Sequence, residues 1–298
     1  MRGFVTIAVG DEQYFKLAVN LLDSYKIHTA CIMPWAIITD RENQYTNQFD
    51  KVILLENAAR SYMDKIEMLN NPPWEDNIFI DADCLAYGDL NALWNYYPNG
   101  AVSCIGQALP TTSKDGWFVQ EDIGEYQNRI TFIPQMHGGV LFFRDDADTR
   151  EIYKLALTIS KDYSKYRFKF FSKPADEPIL ALSMAVLGVK PIELSQDEKE
   201  KAFVFYPSAK KVKCNMAKGL CSYYNDQTGW VDDVLLVHWQ NVNTNKPLYR
   251  TEVKRMTEKN PLAVSLCKVW YGFDCFIIGT ARRFINRVKR TFWRFTII

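Results

Sequence analysis

From Phe4 to Val9 the chain runs through apolar and β-branched side chains without a charge, which predicts a buried strand. Gly10-Asp11 breaks the run and opens a helix in which Tyr14, Ala18, Leu21 and Tyr25 return to one face. The alternation continues. Trp35–Thr39 and Val52–Leu55 read as short strands, and Ser61–Leu69 as a helix stopped by Asn70-Asn71-Pro72-Pro73. Asn77–Ile80 is an apolar strand that runs straight into Asp81-Ala82-Asp83. Ala101–Ile105 and Gly139–Phe143 are further strand candidates, Asp145–Asp162 and Glu177–Leu187 are helices, and Leu235–Trp239 is a strand containing His238. Residues 106–136 lack periodicity and exceed an ordinary connection, which marks a functional loop or insertion. Strands alternating with helices predict an α/β fold. Its sheet should be mostly parallel and covered on both faces, with ligands at the strand carboxyl ends near residues 9, 81 and 238.

A length of 298 residues suits one large α/β domain with additions, and 48% hydrophobic with 24% charged residues excludes a disordered chain. Seven cysteines without a C-x-x-C spacing read as thiols in a reducing compartment. The opening MRGFVTIAV is too short and wrongly flanked for a signal peptide, and no segment reads as a transmembrane helix, so a cytoplasmic location is expected. The net charge of +1 hides an asymmetry: beyond Cys275 lie Arg282, Arg283, Arg287, Lys289, Arg290 and Arg294 with no acid. The body before them is net negative, which argues against nucleic acid as a partner.

Chemistry concentrates at one strand end. Asp81 and Asp83, two residues apart after an apolar strand, send both carboxylates to one face if the backbone stays extended. Neighbouring carboxylates repel each other unless a hard divalent cation lies between them and a phosphate. His238, at the end of the Val234-Leu235-Leu236-Val237 run, supplies an imidazole that also suits manganese. Lys65 and Lys246 can neutralise diphosphate charge in such company.

These residues resemble glycosyltransferase family 8, the retaining GT-A enzymes that include glycogenin and bacterial lipopolysaccharide galactosyltransferases. Phe79-Ile80-Asp81-Ala82-Asp83-Cys84-Leu85 with Asp89-Leu90-Asn91-Ala92-Leu93-Trp94 is similar to the family's D-A-D-x-L and D-L-x-x-L-F segment. Phe4–Ala8 resembles its first nucleotide-binding strand, Lys65 keeps its distance to the D-x-D, and Gly138–Phe143 resembles its N-S-G-V strand. Pro174–Leu180 is similar to the D-Q-x-x-L helix start, and Val237-His238-Trp239 with Lys246-Pro247-Leu248 to the H-F-x-G-x-x-K-P-W finish. The matches run in order from residue 4 to about 250. The resemblance implies a Rossmann-like nucleotide-diphospho-sugar transferase of the GT-A type over residues 1–250, followed by a C-terminal helical extension over 251–298.

It further implies a UDP-sugar whose uracil lies on Ile7, Ala8 and Val9 with Tyr14 nearby, and whose diphosphate meets Lys65, the Asp81-Ala82-Asp83 segment and a metal. That metal would be Mn2+ (or Mg2+) on Asp81, Asp83 and His238, with Lys246 on the leaving phosphate and Asp176 and Glu177 facing the sugar and acceptor. The implied reaction is retaining transfer of a hexose to a glycan or lipid-linked acceptor. Departures are visible: His137-Gly138 replaces Asn-Ser, Glu177 replaces Gln, Leu248 replaces Trp, and Asn241 stands where Gly is expected. His137 becomes an acceptor-side candidate, and Asp176 at a helix start is also a natural N-cap.

Three alternatives remain at this stage. An inverting enzyme would use Asp176 or Glu177 as base. A sugar-nucleotide nucleotidyltransferase would carry a basic glycine-rich loop where this chain has acidic Gly10-Asp11-Glu12. A glycan-binding protein without catalysis would keep the fold alone. From Phe273 onward, Phe273, Ile277, Phe284, Val288, Phe292 and Phe295 recur at helical spacing among the six cations, with Trp293 beside them. This basic amphipathic helix predicts peripheral binding to an anionic membrane surface, or else a homo-oligomer contact. The loop Gln107–Gln135, with Trp117, Glu121, Asp122 and Tyr126, is the candidate for acceptor recognition.

Overall fold

The computed structural model describes residues 1–98, 102–206, 211–258 and 260–273. Its first half alternates β1 (Arg2–Ala8), α1 (Glu12–His28), β2 (Trp35–Thr39), β3 (Lys51–Leu54), α2 (Met63–Glu67) and β4 (Asp76–Ile80). After β4 come β5 (Cys84–Ala86), β6 (Gly106–Leu109), β7 (Ile133–Met136), β8 (Val140–Arg144), α3 (Ala147–Lys161), α4 (Asp176–Leu187) and α5 (Gln196–Ala202). The last part holds β9 (Val204–Phe205), β10 (Val212–Asn215), β11 (Leu220–Asn225), β12 (Gly229–Val231), β13 (Leu236–His238) and α6 (Pro247–Thr257). Residues 261–273 are helical. The basic tail beyond Phe273 lies outside the described residues.

The main sheet has the order β3-β2-β1-β4-β8, parallel except for β8, which runs antiparallel to β4. Its apolar runs split by parity, because successive side chains on a strand point to opposite faces. Phe4, Ala8, Trp35, Ile37, Ile78, Ile80, Val140 and Phe142 join the core that includes Phe15, Ala18, Leu21, Leu22 and Tyr25 of α1. Val5, Ala36, Ile38, Phe79, Leu141 and Phe143 join the opposite core with Ile152, Ala156 and Ile159 of α3 and Ile179–Leu182, Met184 and Ala185 of α4. Burial on both faces is why these strands lack an alternating polar pattern. Asp146 caps α3 by accepting from Thr149 N at 2.8 Å, and Gly188, left-handed at φ 72°, ends α4.

Two features place the site. Chain order reverses between β1 and β4, so a crevice opens at their carboxyl ends. A second small sheet, β5-β13-β9, pairs His238 with Cys84 on one side and with Phe205 on the other, next to the end of β4.

Several expectations need correction. Ala101–Ile105 is not a strand among its described residues but two isolated bridges, Ser103 to Phe142 and Ile105 to Ile192. Residues 106–136 are not a free loop: β6 and β7 pair antiparallel at the base, and Phe118, Ile123, Tyr126 and Ile130 pack inside. Trp117 is half-buried with its Nε1 on Met136 O at 3.2 Å, and Tyr126 is buried against Tyr166. These rings serve packing. The antiparallel sheet β10-β11-β12 had no counterpart in the hydrophobic pattern.

Candidate active site

β4 ends at Ile80, and Asp81–Cys84 forms a tight turn closed by Cys84 N donating to Asp81 O at 3.0 Å. The two aspartates therefore meet across a turn rather than along an extended strand. The turn is tied down on both sides: Asp81 N donates to Gly139 O at 3.0 Å, and Trp239 N donates to Asp83 O at 3.1 Å. Because β8 and β13 supply these anchors, Gly138-Gly139 and His238 arrive at the same point. His238 Nε2 stands 3.0 Å from Asp83 Oδ1 and 3.7 Å from Asp81 Oδ2. One ligand atom from each of Asp81, Asp83 and His238 lies within 4.8 Å of the others.

Lys65, delivered by α2, completes the group. Its Nζ lies 3.0 Å from Asp81 Oδ1 and 2.7 Å from Asp176 Oδ2, and donates to Gly138 O at 3.2 Å. Asp176 is the first residue of α4 and not its cap; Ala175 holds the cap position without a side-chain bond. The Asp176 carboxylate instead pairs with Lys65, while its place in the first helical turn still suits a negative charge. Glu177 Oε1 accepts from Gly138 N at 2.6 Å and lies 3.4 Å from His137 Nδ1. Close approach explains the paired glycines. A Cβ on Gly138 would come within 2.9 Å of Glu177 Cγ and 3.1 Å of Asp176 Oδ2, and one on Gly139 within 2.9 Å of Phe203 Cζ and 3.0 Å of His238 Nδ1.

Electrostatics follow from this packing. Burial works against the charge of Lys65, but Asp176 and then Asp81 outweigh it and hold the lysine above its ordinary value. Burial opposes the charge of Asp83 and His238 as well, yet each favours the ion of the other: Asp83 sits low and His238 sits high. Asp81 sits high, because burial exceeds the help of Lys65 and His238. Burial and then the neighbouring Asp176 push Glu177 up to about 7. Burial, with repulsion from His238 and Lys65, pushes His137 down to about 3, so its imidazole is neutral.

The donor set fits a divalent cation. Two carboxylates and one imidazole are hard and borderline ligands, and Nε2 of His238 points between the two carboxylates. The surrounding acids also exceed the cations that face them.

The other sequence candidates lie around this centre. Ala8 is buried at the end of β1, while Ile7 and Val9 are half-buried. Tyr14 OH accepts from Asn241 Nδ2 at 3.0 Å, linking the start of α1 to the loop that carries Lys246. Ala82 is buried inside the turn. Lys246 is exposed and outside the ion-pair group; its Nζ lies over the Tyr206 ring at 5.0 Å, and Tyr206 stacks on Trp239. Sequence reasoning missed Phe203 and Phe205, whose rings pack on His137 and His238. It also missed Asp40, directly after β2, which accepts from Gly10 N and pairs with Arg41 and Arg60. The signal was present, since Asp40 follows an apolar strand just as Asp81 does.

No family model matches the chain, and no curated protein does. Solved structures do. The galactosyltransferase LgtC in complex with donor and acceptor sugar analogues superposes with a TM-score of 0.52 at 11% identity, covering 88% of this chain and 98% of that one. An active-site mutant of LgtC gives 0.51 at 15% identity with the same coverage. The bifunctional glycosyltransferase WbbM gives 0.52 at 11% identity over 89% of this chain, which spans about half of WbbM. At these identities the likeness is one of architecture. The chain has the mixed α/β fold of these glycosyltransferases, the GT-A type, with its Asp81-Asp83-His238 cluster at the carboxyl end of β4.

Proposed function

We propose that the protein is a metal-dependent retaining glycosyltransferase that moves a hexose from a UDP-sugar to a glycan or glycolipid acceptor. The observation that carries this reading is the convergence of Asp81, Asp83 and His238 beside the buried Lys65–Asp176 pair. Asp81, Asp83 and His238 would hold Mn2+ or Mg2+, which supplies charge neutralisation for the departing diphosphate. Lys65 fixes the Asp81 and Asp176 carboxylates, so neither must reorganise as charge develops. Asp176 would face the positive centre that forms on the sugar, and the bare backbone of Gly138-Gly139 lets Asp176, Glu177 and His238 close in beside it. Ile7, Val9 and Tyr14 would line the nucleoside side of the crevice, with Ala8 buried behind them. Lys246 reaches the leaving phosphate from the rim by a change in its own side chain.

Residues 1–250 form the GT-A domain in this reading and 251–298 the extension. The helical residues 261–273 support a peripheral role, since Leu262, Leu266, Val269, Trp270 and Phe273 are exposed at helical spacing. Among the described residues no helix is long and apolar enough to cross a membrane. We place the protein in the cytoplasm, on the inner face of an anionic membrane. Flotation with anionic liposomes checks this: the chain should float, Trp270→Glu should float less, and equal partitioning of neutral and anionic vesicles overturns the charge argument.

The deciding experiment is release of UDP from a panel of UDP-sugars with Mn2+, against the same panel in EDTA. Metal-dependent release from one UDP-hexose is expected. Absence of turnover and of any nucleotide-dependent thermal shift overturns the assignment. An inverting reaction is favoured by one observation: Glu177, held near 7, suits a general base. The anomeric configuration of the product separates the two.

A further inference from the structure

We propose that Cys214 and Cys221 form a reversible disulfide across the β10–β11 hairpin, a redox modification site independent of the glycosyltransferase reading. The two residues face each other in register, and their sulfurs already lie 3.6 Å apart. Their position in the ladder favours closure. Tyr224 N donates to Lys211 O at 2.9 Å, so the Lys211–Tyr224 pair is hydrogen-bonded, and alternation along the ladder makes Cys214–Cys221 a non-hydrogen-bonded pair. The outward carbonyls agree: Cys214 O accepts from Arg255 Nη1 at 3.0 Å, and Cys221 O accepts from Val234 N at 3.0 Å. In such pairs the Cα atoms approach to about 4.5 Å, inside the roughly 4.4–6.8 Å that a disulfide spans.

The two thiols differ in access. Cys214 is partly exposed and Cys221 is buried. With a low-molecular-weight disulfide such as oxidised glutathione, the Cys214 thiolate attacks one sulfur, the small S–S bond breaks and one small thiol leaves. The Cys221 sulfur then attacks Cys214 of the mixed disulfide, and the second small thiol leaves. Two electrons pass from the cysteines to the small disulfide, and the two cysteine protons end on the two released thiols. Contact with Cys214 and burial keep the Cys221 thiol protonated, so Cys214 attacks first, and the Cys221 proton passes to the departing small thiolate as Cys221 attacks in its turn.

Closure pins a segment the fold relies on. Cys221 O holds Val234, just before the strand that carries His238, and Met216 N donates to Glu252 of α6 at 2.7 Å. The sequence gives no hint of this pairing beyond a spacing of seven residues. The test treats the full chain with oxidised glutathione, alkylates it in denaturant, and maps peptides without reduction. Expected are loss of alkylation at two of the seven cysteines and a Cys214–Cys221 linked peptide that dithiothreitol reverses. Cys214→Ser should abolish the link and leave Cys221 alkylatable; Cys221→Ala repeats the arm if the first variant folds poorly. The proposal is overturned if both cysteines stay alkylatable. Stable glutathione on Cys214 without closure, or linkage of other cysteines in its place, overturns it equally.

Discussion

At the carboxyl end of β2, Asp40 holds Arg41 and Arg60 in solvent; at the carboxyl end of β4, Asp81 and Asp176 hold Lys65 in the interior. The side chains of Arg41 and Arg60 are 44% and 65% exposed, that of Lys65 is 13% exposed. The chemistry of the pairs is alike and the surroundings differ. In water an ion pair exchanges one good environment for another, whereas in the interior each charge depends on its partner. The balance of sign differs too. The outer group has two cations to one acid, and the inner group sets Asp81, Asp83, Asp176 and Glu177 against Lys65 and His238. A surplus of negative charge inside calls for a cation.

The largest break in this comparison is expected at Asp83. Asp83→Asn keeps the size of the side chain and its contact with His238 but removes the ligand charge. UDP release should fall roughly 100- to 1000-fold, as when one preorganised transition-state contact is removed, and the thermal shift produced by Mn2+ with UDP should vanish. Arg60→Ala should change turnover less than about tenfold, since its charge is already screened. Equal losses at both positions would erase the distinction between the two groups.

Stability gives the next effect. Lys65→Met leaves Asp176 and Asp81 buried without their cation, which should cost about 3–5 kcal/mol in chemical denaturation. Adding Asp176→Asn should recover part of that loss, because the second change removes one of the stranded charges. A double variant as unstable as the two single losses added together would show that Lys65 acts by packing.

Much of this is legible in the sequence. Trp35–Thr39 is a strand with the boundaries its apolar run predicts, and β1, α1, β4, β8, α3 and α4 fall within a few residues of theirs. Their signal is strong because burial on two faces forces continuous apolar runs. The Asp81, Asp83 and His238 cluster was also legible, through strand ends and resemblance. What stayed hidden depends on partners distant in the chain. Lys65 is a site candidate in the sequence, but its pairing with Asp81 and Asp176 shows only once α2 carries it there. The sheet β10-β11-β12 mixes Lys213, Cys214, Ser222 and Asn225 with aromatics, so its alternation is too weak to separate from loop. The extended backbone on which the Asp81–Asp83 spacing argument is conditional gives way to a turn, because strand periodicity does not mark where a strand turns.

Glu177 sharpens the comparison through pH. Its folded value near 7 lies above its ordinary 4.5, so the folded state holds the proton more tightly than the unfolded chain. The stability tied to that proton is complete below pH 4.5, falls as pH rises through 7, and is gone above it. Glu177→Gln keeps an oxygen for Gly138 N and has no proton to lose. The variant should therefore match the native chain at pH 4 to 5 and exceed it at pH 8, by up to about 3 kcal/mol. Denaturation at both pH values checks the sign, and a variant less stable at pH 8 contradicts it.

The smallest effect belongs to Arg60 and comes from two opposed terms. Its backbone is left-handed at φ 52°, a conformation that disfavours a side chain, while its guanidinium pairs with Asp40 at 3.0 Å. Arg60→Ala keeps the strained backbone and loses the pair, which should cost at most about 1 kcal/mol. Arg60→Gly loses the pair and relieves the backbone, so it should be the more stable of the two by up to about 1 kcal/mol. Salt separates the terms: in about 1 M NaCl the cost of Arg60→Ala should shrink, because exposed charges are screened within a few ångströms. The gain from Ala to Gly should persist, because a dihedral is not screened. Lys65→Met in the same salt should keep its full cost, and that contrast would confine the effect of solvent to the outer cluster.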